Sequence, residues 1–131
     1  MHGKKWQEKN MVLLDANAVL RYILNDNVEM ASEVSELISS GKVIVPIFVL
    51  AEVIYVLNGV YKVDKSELKE SIFSFLSEVN VDDREVIELG IKTFSEKNLD
   101  FVDCILYAYS YFKRYDIFTF DKKLNKLLDT L

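Results

Sequence analysis

The stretch that most constrains the fold is the short apolar run Val12-Leu13-Leu14, which ends in Asp15 and is followed at once by a helical pattern. The run is too short for a buried helix and is bounded like a buried strand. In α/β proteins, ligands bind beyond the carboxyl ends of parallel strands, so Asp15 is a candidate site residue. The alternative is structural, because an Asp between a strand and a helix often serves only as an N-cap. This segment alone leaves both interpretations open.

Composition limits the class of protein. A chain of 131 residues, 50% of them hydrophobic and 28% charged, is expected to form one globular domain. We expect a polar N-terminal extension over residues 1–10 and a single domain over residues 11–131. Cys104 is the only cysteine, which excludes an intrachain disulfide and favours a cytoplasmic location. No apolar run is long enough to span a bilayer, so no membrane association is expected.

The order of elements predicts an α/β fold. Short apolar strands are expected near residues 12–14, 43–45, 79–81 and 117–120. The predicted helices cover about residues 16–24, 28–40, 47–58, 65–77, 84–97, 101–114 and 122–128. Alternating strands and helices predict a three-layer α/β/α domain with a short parallel sheet of four strands.

Four acidic residues are expected to meet at one edge of this sheet. Right-handed crossovers place the carboxyl ends of all strands on the same side. Asp15 and Asp121 follow strands, and Glu52 and Asp103 lie near the starts of helices that begin on that side. Four carboxylates so close would repel one another, and one or two hard divalent cations, Mg²⁺ or Mn²⁺, would relieve this repulsion. Such sites hydrolyse phosphodiester bonds.

Simpler explanations exist for two of these acids. Glu52 is surrounded by apolar residues, so its charge would be expensive to bury, but it could also lie exposed at the edge of its helix. Asp100 and Asp103 have the spacing of a capping box, and Asp100 could cap the helix while Asp103 faces a site. We expect Cys104 to be a buried thiol.

Other chemistries and other modes of binding fit poorly. The only histidine is His2, which excludes a Ser-His-Asp triad within the domain. No glycine-rich phosphate loop and no cysteine–histidine cluster is present. The net charge of −5 argues against nucleic-acid binding by bulk electrostatics, although phosphates could still be held through metal ions. Positive residues beside the site would then guide RNA, and the candidates are Arg21, Lys97 and Arg114.

Four short motifs resemble the PIN domain in order and spacing. They are Leu-Leu-Asp-Ala-Asn at 13–17, Leu-Ala-Glu-Val at 50–53, Asp-Phe-Val-Asp at 100–103 and Thr-Phe-Asp at 119–121. The resemblance covers residues 11–128 and is closest to the VapC-like toxins of prokaryotic toxin–antitoxin pairs. It implies a Mg²⁺- or Mn²⁺-dependent endoribonuclease that forms a homodimer and is inhibited by a cognate antitoxin.

The resemblance also implies roles for particular residues. Metal-binding carboxylates are expected at Asp15, Glu52, Asp103 and Asp121. Supporting polar roles are expected for Asn17 and Thr119. A supporting role is also expected for Asp100, which lies in the same motif as Asp103.

The sequence departs from the family pattern at two points. Ala16 stands where the family commonly has Thr or Ser, which could lower activity. The chain also ends soon after the last predicted helix, so the family's fifth, edge strand is expected to be absent or reduced.

Two other functions remain open at this point. One is a PIN-fold nuclease of RNA processing that has no antitoxin. The other is a non-catalytic, receiver-like binding module, which would require adjacent acids early in the chain and a lysine at a late strand end. Asp15 has Leu14 and Ala16 as its neighbours, which disfavours the receiver-like module.

Overall fold

The computed structural model describes residues 10–131. The predicted extension over residues 1–10 lies outside this range except for Asn10, which is exposed. The elements are β1 (Val12–Leu13), α1 (Ala16–Leu24), α2 (Val28–Ser39), β2 (Val43–Ile44), α3 (Ile47–Tyr55), a π-helical turn (Val56–Val60), α4 (Lys65–Leu76), α5 (Arg84–Glu96), α6 (Phe101–Lys113) and α7 (Lys122–Leu128).

The sheet is smaller than predicted. β1 and β2 pair in parallel, with Val12 opposite Val43. The predicted third strand is reduced to one parallel bridge between Ile44 and Asn80. There the Val45 N–H donates to the Asn80 carbonyl at 3.0 Å, and the Asn80 N–H donates to the Val43 carbonyl at 2.9 Å. The α/β class with a parallel arrangement is confirmed, whereas the described residues form only two strands.

The predicted fourth strand, residues 117–120, forms no strand and pairs with no strand within residues 10–131. Its two phenylalanines are exposed, with 86% of Phe118 and 89% of Phe120 accessible. Arg114 ends α6 in a left-handed conformation, and the Tyr115 ring then stacks on Tyr109 with centroids 6.1 Å apart. This stacking keeps the start of the segment beside α6, so the segment does not extend the sheet.

The helices pack around one apolar core that includes both strands. Helices α5 and α6 pack closely at Gly90, where an added Cβ would lie 2.5 Å from the Ile105 Cδ1 atom. Cys104 is fully buried in this core, as predicted. The packing of α5 against α6 fixes the start of α6, where Asp100 and Asp103 are found.

The third predicted helix changes its geometry before it ends. The α-helical part stops at Tyr55, and the chain continues through the π-helical turn, which closes with the Tyr61 N–H donating to the Val56 carbonyl at 3.1 Å. π-helical turns are rare and occur frequently at functional sites. Within residues 10–131, no helix has both the length and the apolar character that a membrane span requires.

Candidate functional site

Three carboxylates line one pocket at the start of α6. Asp100, Asp103 and Asp121 share this pocket, which has a volume of about 470 Å³. Its other lining residues are Asn98, Leu99, Lys122 and Lys123. We call it the carboxylate pocket. The structure therefore brings two of the four predicted carboxylates together and adds Asp100 to them.

Asp100 and Asp103 reach the carboxylate pocket from the first turn of α6. Asp100 occupies the N-cap position, as the alternative explanation has it, but its side chain makes no capping hydrogen bond. Asp103 is partly buried in the first helical turn. The positive end of the helix dipole favours anions at this place. Both carboxylates are thus held near the helix start without a structural hydrogen bond.

Asp121 enters the pocket from the N-terminus of α7. Its Oδ1 atom accepts a hydrogen bond from the Leu124 N–H at 2.8 Å and caps that helix. The Thr119 hydroxyl oxygen accepts from the Asp121 N–H at 3.0 Å, and the Asn125 amide donates to the Thr119 carbonyl at 2.9 Å. Thr119 therefore holds the backbone that carries Asp121, which is a supporting position for this carboxylate.

The pocket disfavours negative charge on Asp103. Partial burial, followed by the charges of Asp100 and Asp121, raises the pKa of the Asp103 carboxyl above its ordinary value of 3.8. The salt bridges found within residues 10–131 lie elsewhere, at Arg21–Asp26 and Lys113–Asp83. The pocket is therefore an acidic site that a cation would stabilise.

Asp15 lies in a different groove. Its Oδ1 atom accepts from the Ala18 N–H at 2.8 Å and caps α1. It lines a groove of about 390 Å³ with Asn17 and Arg21, and it is not among the charges that act on Asp103. The ends of paired strands lie about 4.8 Å apart. Residues 117–120 do not pair with β1, and Asp121 and Asp15 line different pockets.

Glu52 is exposed on α3 and does not line the carboxylate pocket. The expectation that its charge would be buried at a cost is wrong, because α3 turns this side chain toward solvent. A metal-binding role for Glu52 remains a prediction from its motif.

The predicted RNA-binding cations lie outside the carboxylate pocket. The Arg21 guanidinium is 2.9 Å from Asp26 and donates to the Tyr61 hydroxyl at 3.4 Å. Lys97 and Arg114 are exposed at the ends of α5 and α6. The cations at the pocket are Lys122 and Lys123, which the sequence reasoning missed. The signal was their position directly after Asp121 at a helix start.

The donor set fits a hard divalent cation bound largely through water. Only carboxylate oxygens and the Asn98 amide border the pocket as ligands, which is the chemistry that Mg²⁺ and Mn²⁺ prefer. Among residues 10–131, no three acidic, histidine or cysteine side chains are close enough to enclose one ion. Mg²⁺ commonly binds through one or two carboxylates and keeps several waters, so a closed cage is not required.

The fold and this pocket define an α/β domain with an acidic site at the N-termini of two helices. Comparison with known protein families matches residues 12–128 to the PIN domain. The match covers most of the chain, so the chain belongs to the PIN domain family. PIN domains are generally nucleases and generally use divalent metal ions. The comparisons with curated proteins and with solved structures gave no match.

Proposed function

We propose that this protein is a Mg²⁺- or Mn²⁺-dependent endoribonuclease that hydrolyses RNA phosphodiester bonds. The observation that carries the proposal is the carboxylate pocket, in which Asp100 and Asp103 make no capping bond and Asp121 adds a third charge. When bound, a divalent ion supplies positive charge that stabilises phosphate oxygens and activates water. One or two of the carboxylates Asp100, Asp103 and Asp121 would hold such an ion, with water as its remaining ligands.

Asp15 and Glu52 belong to the proposed metal site on the strength of their motifs. Asp15 lines a different groove from the carboxylate pocket, so its inclusion rests on the motif. Its capping bond uses one carboxylate oxygen, Oδ1, and this leaves Oδ2 for a ligand role. Asn17 lines the same groove and is proposed to support Asp15.

Positive side chains at the pocket are proposed to guide the RNA. Lys122 and Lys123 border the carboxylates and would attract phosphates to an acidic site that otherwise repels them. Arg21, Lys97 and Arg114 are proposed as more distant contacts. Of these, Arg21 is the least available, because Asp26 and Tyr61 already bind its guanidinium.

We further propose that the protein is a toxin that acts as a homodimer and is inhibited by a cognate antitoxin. The resemblance to VapC-like toxins supports this, and so do the exposed phenylalanines of residues 117–120. Exposed apolar side chains on neighbouring residues are typical of a site that a partner covers. A cytoplasmic location remains a prediction from the single cysteine.

The experiment incubates the protein with single-stranded and structured RNA in Mg²⁺, in Mn²⁺ and in excess EDTA. We expect cleavage only with metal, and products with 5′-phosphate and 3′-hydroxyl ends, because water attacks the phosphorus without using the 2′-hydroxyl. A 2′,3′-cyclic phosphate would contradict the mechanism. Full activity in EDTA would contradict the metal requirement.

An RNA-processing nuclease without an antitoxin is the second candidate, because the family match shows the PIN domain and not its subtype. Co-expression with a small neighbouring gene separates the two candidates. A stable complex with suppressed cleavage supports the toxin. A missing neighbour, or a complex that cleaves at the full rate, supports the processing nuclease.

A further inference from the structure

A second cleft adjoins the carboxylate pocket and shares one wall with it. Both are lined by Asn98, Leu99 and Asp100. The second cleft has a volume of about 520 Å³, which is within the range of pockets that hold small organic groups. A strand whose phosphate lies among the carboxylates would therefore pass this cleft with its next nucleotide.

The walls of the cleft combine an aromatic ring, a cation and amides. Tyr55 lines the cleft and is 74% exposed, and Phe94 lines it and is buried. The Lys65 ammonium lies 4.2 Å from the centre of the Phe94 ring and donates to the Lys97 carbonyl at 3.1 Å. Lys65 is therefore held in a fixed position beside the cleft.

The π-helical turn shapes one side of the cleft. The turn begins directly after Tyr55 and places Asn58 and Gly59 in the wall of the cleft. The Asn58 amide nitrogen donates to the Val63 carbonyl at 3.1 Å, which orients the side chain and leaves its oxygen as an acceptor. A Cβ added at Gly59 would meet no atom within 4 Å, so the space beside the turn is open.

We infer that this cleft binds one unpaired nucleobase of the RNA strand next to the phosphate in the carboxylate pocket. The inference rests on the proposed ribonuclease function. Tyr55 provides a ring on which a base stacks, as in sites for single-stranded nucleic acid. Asn58 and Asn98 provide amide groups that can hydrogen-bond the edges of a base. The shared wall and the polar groups favour a nucleobase over an apolar peptide.

The first experiment measures cleavage of single-stranded RNA oligonucleotides by the parent, Tyr55→Ala and Tyr111→Ala. Tyr111 is the matched control, since it is an exposed tyrosine (54%) that lies outside both clefts. Each oligonucleotide lacks the base at one position in turn. In the parent, loss of one particular base should lower kcat/KM by about five- to 100-fold, the range typical of stacking on an aromatic side chain.

Tyr55→Ala should lower kcat/KM on the intact strand by a similar factor and should then be insensitive to loss of that base. This non-additivity shows that Tyr55 and the base contact each other. Tyr111→Ala should behave like the parent. If the parent cleaves RNA but neither the loss of any base nor Tyr55→Ala changes the rate, the proposed nucleobase site is wrong. The proposed nuclease function would then be unaffected. If the parent cleaves no RNA with any metal, both proposals fail.

The second experiment does not depend on cleavage. Tyr55→Trp in a Trp6→Phe background places a single tryptophan at the cleft, because Trp6 is the only natural tryptophan. Saturable quenching by AMP or UMP, absent from the matching Tyr111→Trp protein, supports the nucleobase site. Absence of quenching overturns it. If an apolar dye binds the parent, loses binding in Tyr55→Ala and is not displaced by AMP or UMP, the cleft is a peptide groove. That result would also overturn the nucleobase site.

Discussion

Asp103 on α6 and Asp121 at the start of α7 face the same pocket, although their helices differ and Asp121 follows an exposed segment. Burial and the charge of Asp100 raise the pKa of Asp103, and the charge of Asp121 raises it further. Asp121 also caps α7, whereas Asp103 makes no capping contact. Asp121 thus has a structural reason for its position, whereas no hydrogen bond explains that of Asp103.

Removing the charge of Asp103 should stabilise the fold without metal at neutral pH. The folded protein binds the Asp103 proton more tightly than the unfolded chain does, because the folded-state pKa is raised above 3.8. The destabilisation therefore develops as pH rises through this raised pKa and is absent below 3.8. In EDTA, the Tm of Asp103→Asn should exceed that of the parent at pH 7, and the difference should disappear toward acid pH. A lower Tm at pH 7, or a difference independent of pH, would contradict the repulsion.

Substitutions of Asp15 should separate capping from metal binding. Asp15→Ala should destabilise the protein by about 1 kcal/mol through loss of the bond to the Ala18 N–H, whereas Asp15→Asn should change stability little. If Asp15 is also a ligand, both variants should lose cleavage by orders of magnitude. Urea unfolding and an RNA cleavage assay measure the two effects. Normal cleavage by Asp15→Asn would limit Asp15 to its capping role.

Gly90 should be required by the close packing of α5 on α6. Gly90→Ala places a Cβ 2.5 Å from the Ile105 Cδ1 atom, and overpacking costs about 1–3 kcal/mol, against a gain in helix propensity of about 1 kcal/mol. We expect a net loss of about 1 kcal/mol in urea unfolding. Ile105→Val removes the clashing atom, so Gly90→Ala should be neutral or stabilising in that background. Equal losses in both backgrounds would contradict the contact.

Phe118 and Phe120 should contribute little to the stability of the isolated chain, because both are largely exposed. Phe118→Ser with Phe120→Ser should change the free energy of unfolding by less than about 0.5 kcal/mol. Phe75→Ala is the control, since Phe75 is buried and such a truncation costs about 3–5 kcal/mol. A loss above about 2 kcal/mol in the double variant would mean that this segment packs in the isolated chain.

Local sequence patterns were sufficient to predict the positions of the helices and of the paired strands β1 and β2. Apolar stripes and turn residues located every helix within a few residues, because these signals act within one or two turns. The pattern at 117–120 also predicted a strand, but pairing depends on where the chain travels after Arg114. The stacking of Tyr115 on Tyr109 is a tertiary contact that no local pattern encodes.

The candidate site shows the same limit. The motif Asp-Phe-Val-Asp was sufficient to identify Asp103 as a residue of the carboxylate pocket, and the motif Thr-Phe-Asp was sufficient to identify Asp121. The expected convergence of Asp15 with Asp121 rested on four parallel strands whose carboxyl ends share one side, whereas the described residues form only two strands. Lys122 and Lys123 follow Asp121 directly, but only their spatial position identifies them as pocket residues, and the same holds for the role of the π-helical turn.

The most direct test of the account measures Mn²⁺ binding by calorimetry and RNA cleavage for the parent, Asp103→Asn and Asp116→Asn. Asp116 is an exposed acid outside the carboxylate pocket, so its variant controls for the change in net charge. We predict that Asp103→Asn weakens Mn²⁺ binding and lowers cleavage by orders of magnitude while remaining folded, and that Asp116→Asn matches the parent. Unchanged Mn²⁺ affinity and cleavage in Asp103→Asn would contradict the assignment of this pocket as the metal site.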